Sequence, residues 1–208
     1  MATVVNPTRM ELTRLKKRLK TAVRGHKLLK DKRDEMVRQF IIFIRRNRDL
    51  RIEVETALMQ AMQRFSLAKA SMGTQNVMEA LFYPARAAEF AVSKKNVMSV
   101  NVPQVKYTGT DEAVDLPYGF VYTSSELDGA VLDLGELLPK LIELAEVEKT
   151  CNLLAIEIEK TRRRVNALEY VMIPETKETI KFITMKLEEN DRASLVRLMK
   201  AKEIIMQA

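Results

Sequence analysis

A chain of 208 residues with 47% hydrophobic and 30% charged side chains is too apolar for wholesale disorder, and six Gly and six Pro leave room for long helices. Its one cysteine, Cys151, excludes an intrachain disulfide and a thiolate metal cluster, and its one histidine, His26, excludes a multi-histidine metal site. The formal charge of +7 is polarised: residues 9–51 hold sixteen Lys or Arg against five acids, whereas residues 111–148 hold ten acids against Lys140 alone, a region that would repel nucleic acid.

The opening MATVVNPTRM lacks an apolar core after a basic start, so no secretory signal is expected. The longest strongly apolar run, FIIFI at residues 40–44, falls far short of the ~20 residues that a spanning helix needs. The first predicted element is a helix over residues 8–72, since residues 8–71 contain no proline and a single glycine. A 3-4 alternation runs through it as Leu12, Leu15, Leu19, Ala22, His26, Leu29, Arg33, Met36, Phe40, Phe43, Asn47, Leu50, Val54, Ala57, Ala61, Arg64, Ala68 and Ser71. Thirteen of these eighteen positions are apolar, against the eight or nine that bulk composition predicts. That is the period of a coiled-coil seam. Thr8 is expected as the N-cap, with Glu11 completing a capping box. At ~1.5 Å per residue, roughly 63 helical residues would reach about 95 Å, too long for a compact domain. The seam's charged and polar exceptions, Arg33, Asn47 and Arg64, are read as register devices or as docking points for a third element.

Residues 73–124 change character. Residues 73–92 read as one or two short helices broken at Pro84. Residues 97–107 read as a Val-rich strand and residues 118–123 as a second one, which together predict a β-hairpin around a polar loop. From residue 125 to residue 208 the helical pattern resumes, with a seam at Val147, Cys151, Leu154, Ile158, Thr161, Val165, Leu168 and Met172. Pro139 is a candidate bend, and Pro174 is expected to kink this element or divide it in two. The predicted fold is therefore mainly α, a long antiparallel two-helix coiled coil (a helical hairpin) with a small β-hairpin and short-helix segment at its turn end and both termini at the other.

Catalytic constellations are hard to find. The six glycines form no phosphate-binding loop, because none stands before Lys-Ser or Lys-Thr. His26 falls on the seam and reads as a packing residue, and Cys151 reads as a small core residue rather than a nucleophile. No cofactor or metal is implied. The basic stretch between Arg9 and Met36 holds no Phe, Tyr or Trp, so it lacks the stacking groups of a single-strand binder and the broad aromatic face of an in-plane membrane helix. On residues alone it is a solvated face, or one that meets an acidic protein surface. A basic coiled-coil adaptor for nucleic acid or for such a surface is the alternative function.

Three stretches then carry a resemblance. NPTRMELTRLKKRLKTAVRGHKLLKDKRDEM at residues 6–36 resembles the N-terminal signature of the D subunit of the V-type and A-type ATPases. RRRVNALEYVMIPETKETIKFI at residues 162–183 is similar to that family's second signature, and NVMSVNVPQV at residues 96–105 to its central portion. The C-terminal LEENDRASLVRLMKAKE departs from the family pattern, with Asn190 and Ser194 where charges are expected.

The resemblance implies a non-catalytic central-stalk component, a rotor shaft that carries torque between an ATP-hydrolysing hexamer and a membrane rotor ring. The implied partners are the catalytic A and regulatory B subunits, the F subunit and a socket-like subunit, with no nucleic acid and no direct membrane insertion. The implied place is the cytoplasmic face of the membrane. The charge pattern nominates Arg9, Lys16, Lys17, Lys20, Arg24 and Lys27, with Arg192, Arg197, Lys200 and Lys202, as an electrostatic bearing between rotor and stator. Leu12, Leu15, Leu19, Leu29, Met36, Phe40, Phe43, Leu50, Val54, Cys151, Leu154, Ile158, Val165, Leu168 and Met172 would form the shaft seam. Val97, Val100, Val102, Val105, Tyr107, Phe120 and Tyr122 are the expected docking residues for the F subunit.

Overall fold

The computed structural model describes residues 6–82, 89–107, 116, 118, 119, 121 and 123–207. In chain order these form helix α1 (Arg9–Met72), helix α2 (Thr74–Ala80), strands β1 (Phe90–Val97) and β2 (Val100–Tyr107), helix α3 (Ser125–Ala167), a π-helical turn (Leu168–Met172) and helix α4 (Ile173–Gln207). The fold is mainly α, with one two-stranded antiparallel sheet.

Helix α1 starts where Thr8 Oγ1 accepts the Glu11 amide at 3.2 Å and Thr8 O accepts the Leu12 amide at 3.0 Å. Only that half of the expected capping box is made. The Thr8 amide donates to Asn6 O at 2.9 Å, and Glu11 turns along the helix, its Oε2 3.7 Å from Arg14 Nη1. Helix α1 stops at Gly73, whose φ of 81° is a left-handed conformation that a side chain disfavours. Gly73 N still donates to Lys69 O, and Gly73 O accepts from Val77 as α2 begins.

The β-hairpin corrects the expected pairing. Residues 97–107 are not one strand: Val97 closes β1, and Met98 and Ser99 form a two-residue turn with φ of 52° and 70°. The partner strand is β1, paired from Phe90↔Tyr107 to Val97↔Val100. Residues 118–123 do not supply it; Tyr118, Gly119, Val121 and Thr123 are not in a strand, and Phe120 and Tyr122 lie outside the described residues. The turn carries neither Asn-Gly nor Asp-Gly, the usual signal for positive φ at both central positions. Asn96 compensates: its Oδ1 accepts the Ser99 amide at 3.1 Å, while its Nδ2 donates to Asn101 Oδ1 at 3.0 Å.

Pro174 neither ends the helix nor opens a gap. With no N–H of its own it leaves an upstream carbonyl without a helical donor. The chain responds with a π turn, in which the Ile173 amide reaches back to Leu168 O. Thr176 Oγ1 adds a bond to Met172 O at 2.6 Å. Helix α3 likewise continues through Pro139. Its start is capped by Ser124, whose Oγ accepts the Glu126 amide at 3.3 Å, and Glu126 and Asp128 place negative charge in the first turn.

The chain divides into two compact units, Met1–Glu35 with Ile158–Ala208, and Met36–Glu157. In the first, α1 runs antiparallel to the π turn and α4. Arg9 Nη2 donates to Asp191 at 3.2 Å, and farther along α1 His26 Nε2 lies 3.3 Å from Glu169 Oε2. Leu15, Thr161, Val165 and Ile183 are its buried centre. In the second unit, α1 and α3 are again antiparallel, tied by Arg64 to Asp133, Lys140 to Glu53 and Arg46 to Glu143. Met36, Val54 and Ala61 are buried on α1, and Leu137, Val147, Thr150 and Leu154 on α3. One end of this unit is closed by Ala68, Val77 and Leu127, against which Phe65, Met72, Ala80, Tyr118 and Val131 pack.

Each exposed ion pair contributes on the order of 1 kcal/mol or less. Full burial of one Leu or Met side chain stabilises by about 1.5–3 kcal/mol, so the apolar faces hold the helices together and the ion pairs set their alignment.

Candidate functional site

No group of three or more potential metal ligands occurs among the described residues. Two exposed surfaces stand out.

The first belongs to the unit made of residues 1–35 and 158–208. Lys16, Lys17, Lys20, Arg24 and Lys27 on α1 are all exposed, and none meets a carboxylate among the described residues. The same holds for Arg192, Arg197, Lys200 and Lys202 on α4, whereas Arg9 pairs with Asp191. The Arg9–Asp191 and His26–Glu169 pairs fix the alignment of this unit. They set the α1 group beside the π turn and the first part of α4. The α4 group lies past Asp191, beyond the start of α1. The ten nominated residues thus form two tiers along one unit rather than a single belt.

The second tier is not purely charged. After Asp191, α4 has no partner helix among the described residues, and Leu195, Leu198, Met199, Ile205 and Met206 are exposed at helical spacing. In the sequence the apolar pattern resumes after Pro174 at Ile180, Ile183, Leu187, Leu195, Leu198 and Ile205, but the last three of these are exposed. The same unit exposes Tyr170 and Val171 on the π turn.

None of the fifteen nominated seam residues is exposed. Leu15, Met36, Val54, Leu154 and Val165 are buried, and Leu12, Leu19, Leu29, Phe40, Phe43, Leu50, Cys151, Ile158, Leu168 and Met172 are half-buried. Burial pushes the Cys151 thiol pKa up and Glu148 adds to the rise, so its thiolate is suppressed. His26 is also half-buried and is occupied by Glu169. Of the seam exceptions, Arg33 pairs with its neighbour Asp34 and Arg64 with Asp133. Gly129 accommodates the Arg64 side chain, since a Cβ there would lie 3.1 Å from Arg64 Nη1.

The second surface is the hairpin of the unit made of residues 36–157. The nominated docking residues divide between its two faces. Val97, Val100 and Val102 share one face, on which Val102 is buried. Val105 and Tyr107 share the other with Phe90 and Val92 of β1, and the Phe90 and Tyr107 rings stand 5.8 Å apart. Phe90, Val92 and Tyr107 are 48%, 70% and 41% exposed, so this second face is open. Phe90 and Val92 were missed because residues 73–92 read as helical. The alternation of Phe90, Val92, Lys94 and Asn96 with small or polar residues was the available signal. Glu146 of α3 was missed too: its Oε2 accepts the Val105 amide at 3.0 Å and fastens the edge of β2 to the helix.

Comparison with known proteins gives a consistent picture. The family model for the D subunit of ATP synthase matches residues 11–203. The D subunit of a V-type ATP synthase from Acetivibrio thermocellus is 56% identical over 205 residues, covering 98% of this chain and 92% of the relative. The corresponding proteins of Thermoanaerobacter pseudethanolicus and Clostridium novyi are each 55% identical. The first match covers 98% of this chain and 97% of the relative, the second 97% and 94%.

Proposed function

This chain belongs to the family of ATP synthase D subunits, and on that premise we propose that it is the central rotor shaft of a V-type or A-type ion-translocating ATPase. In that role it carries torque between an ATP-hydrolysing hexamer of catalytic A and regulatory B subunits and a membrane rotor ring. It is a non-catalytic member of its complex. No described helix is long and apolar enough to cross a membrane, which suits a peripheral part of a membrane-associated assembly. We assign it to the cytoplasmic face, joined to the ring through a socket-like subunit.

The observation that carries this reading is the set of exposed cations without carboxylate partners in the unit that holds both chain ends. A shaft turning inside a collar needs contacts that form and break at each step. Exposed Lys and Arg supply contacts of on the order of 1 kcal/mol or less each, weak enough to exchange. Lys16, Lys17, Lys20, Arg24 and Lys27 form one tier of this bearing; Arg192, Arg197, Lys200 and Lys202, flanked by the apolar stripe from Leu195 to Met206, form the other. A buried seam between antiparallel helices stiffens each unit against torsion.

The F subunit docks on the open hairpin face of Phe90, Val92, Val105 and Tyr107. Two experiments test the reading. Affinity purification of the tagged chain from membranes should recover the nucleotide-binding hexamer subunits; recovery of nucleic acid without them would refute the rotor role. Changing both Phe90 and Tyr107 to Ser should weaken the complex with the F subunit at least tenfold by native mass spectrometry, and an undiminished complex would remove the hairpin from that interface.

A further inference from the structure

Pro139 and Pro174 both stand inside helical chain, and the chain treats them differently. Pro139 frees an upstream carbonyl just as Pro174 does, yet α3 stays α-helical through it. The π turn at Leu168–Met172 accompanies Pro174 alone of the two. A proline is therefore not sufficient to make a π turn, and something else about residues 168–172 selects one.

The phase of the apolar stripe supplies the reason. Before Pro174 the covered positions run Ile158, Thr161, Val165, Leu168 and Met172, in alternating steps of three and four. Thr161 and Val165 are buried there. Continued at the same rhythm, the next positions are Glu175, Thr179, Phe182 and Lys186, of which two are charged and only Thr179 is covered. The stripe instead resumes at Thr176, Ile180, Ile183 and Leu187, each one residue later. Three of these are aliphatic, all four are covered, and Ile183 is fully buried.

One surplus residue in a regular helix swings everything beyond it by about 100°. An i→i+5 turn holds one residue more than an i→i+4 turn, so a single π turn absorbs the surplus and returns the stripe to the α1 side. His26 on α1 ties the turn in place, its Nε2 3.3 Å from Glu169 Oε2. Tyr170 and Val171 are 72% and 58% exposed, so the turn carries its surplus on the solvent side.

We infer that the π turn is a phase corrector: it takes up the one residue by which the stripes of α3 and α4 disagree, and so sets the direction that every later side chain of α4 faces. Arg192, Arg197, Lys200 and Lys202 follow it in the same helix, so it also fixes the face on which this cationic tier stands. The bearing role of that tier rests on the rotor reading; the phase correction does not.

Three variants of the full chain test the correction by crystal structure and melting temperature. Pro174→Ala should keep the Ile173 amide on Leu168 O, because the mismatch of phase remains. Deleting the exposed Val171 from Pro174→Ala removes the surplus residue, and the turn should become ordinary α-helix with Ile180, Ile183 and Leu187 still on the α1 side. Its melting temperature should stay within about 2 °C of Pro174→Ala. Inserting one Ala after Val171 in Pro174→Ala leaves two residues to absorb and should lower the melting temperature by at least about 5 °C. The correction is overturned if Pro174→Ala already straightens to α-helix, or if deletion costs as much as insertion. A fourth variant, with one Ala inserted after Asp191, turns the four cations by about 100° and leaves the stripe in phase. In rotation assays of the reconstituted complex it should lose torque or coupling, while the Val171 deletion in Pro174→Ala turns as Pro174→Ala does. Normal torque after the Asp191 insertion would refute the importance of the tier's facing and leave the phase correction standing.

Discussion

Glu146 of α3 accepts the backbone amide of Val105 on β2 at 3.0 Å, so a helix side chain completes a hydrogen bond that a third strand would otherwise make. Together with the buried Val102 side chain it sets where the hairpin sits within its unit. Glu146→Ala leaves the Val105 amide without a partner, at a local cost of about 1–3 kcal/mol. Amide exchange across residues 100–107 should accelerate by one to two orders of magnitude, while Glu146→Gln, which keeps a carbonyl acceptor, should do much less. Equal exchange in Glu146→Ala and the parent would show that Val102 alone holds the hairpin.

The turn at Met98 and Ser99 stores strain that can be relieved. Left-handed backbone costs an L-residue about 1–2 kcal/mol. Replacing Met98-Ser99 by Asn-Gly should stabilise the hairpin by about 1 kcal/mol and slow its exchange. Asn96→Ala should act in the opposite direction, because it removes the acceptor for the Ser99 amide. No gain from Asn-Gly would mean that the Met98 side chain, half-buried in the structure, contributes more packing than its backbone costs.

Tyr118 predicts an alkaline weakness. Burial, then the hydrogen bond to Asp128 at 2.8 Å, then the repulsion of that carboxylate push its phenol pKa well above the usual value of about 10. The folded chain therefore keeps the proton where the unfolded chain loses it. The stabilisation is fully present below about pH 10 and falls as pH rises beyond it. Tyr118→Phe should lower the melting temperature at pH 8 and flatten its decline between about pH 10 and 11. A decline identical to the parent's would assign the alkaline loss to other groups.

Leu154 is fully buried on α3. Leu154→Ala should cost about 2–5 kcal/mol, the range for a large core deletion, measured by chemical denaturation. Leu195→Ala, on the exposed stripe of α4, should change stability by less than about 0.5 kcal/mol. If Leu195 proves as costly as Leu154, the free chain already covers that stripe.

Helix α1 was legible because two independent signals agree over its whole length: a 3-4 apolar alternation, and terminators at Thr8 and Gly73 that match local backbone needs. The hairpin was only half legible. Residues 100–107 alternate as a strand does, but Met98-Ser99 carries no turn signal, so one strand absorbed the turn and the last residue of its partner. The paired lysines in β1 obscured its alternation further. Pro174 was legible as a perturbation but not as a π turn, because the choice depends on which neighbouring donors can reach the freed carbonyls. The Arg9–Asp191 and His26–Glu169 pairs, which divide the cationic surface into tiers, join residues far apart in sequence and could not be read from local pattern. Charge density alone therefore nominated ten residues but not their arrangement.

The rotor account stands or falls on torque. The direct measurement is single-molecule rotation of the reconstituted complex with Lys16, Lys17, Lys20, Arg24 and Lys27 changed together to Gln. These side chains are exposed and meet no carboxylate among the described residues, so folding and assembly should survive. The account predicts a clear loss of torque, or of coupling between ATP hydrolysis and rotation, in a complex that assembles normally. Unchanged torque and coupling in that complex would contradict it.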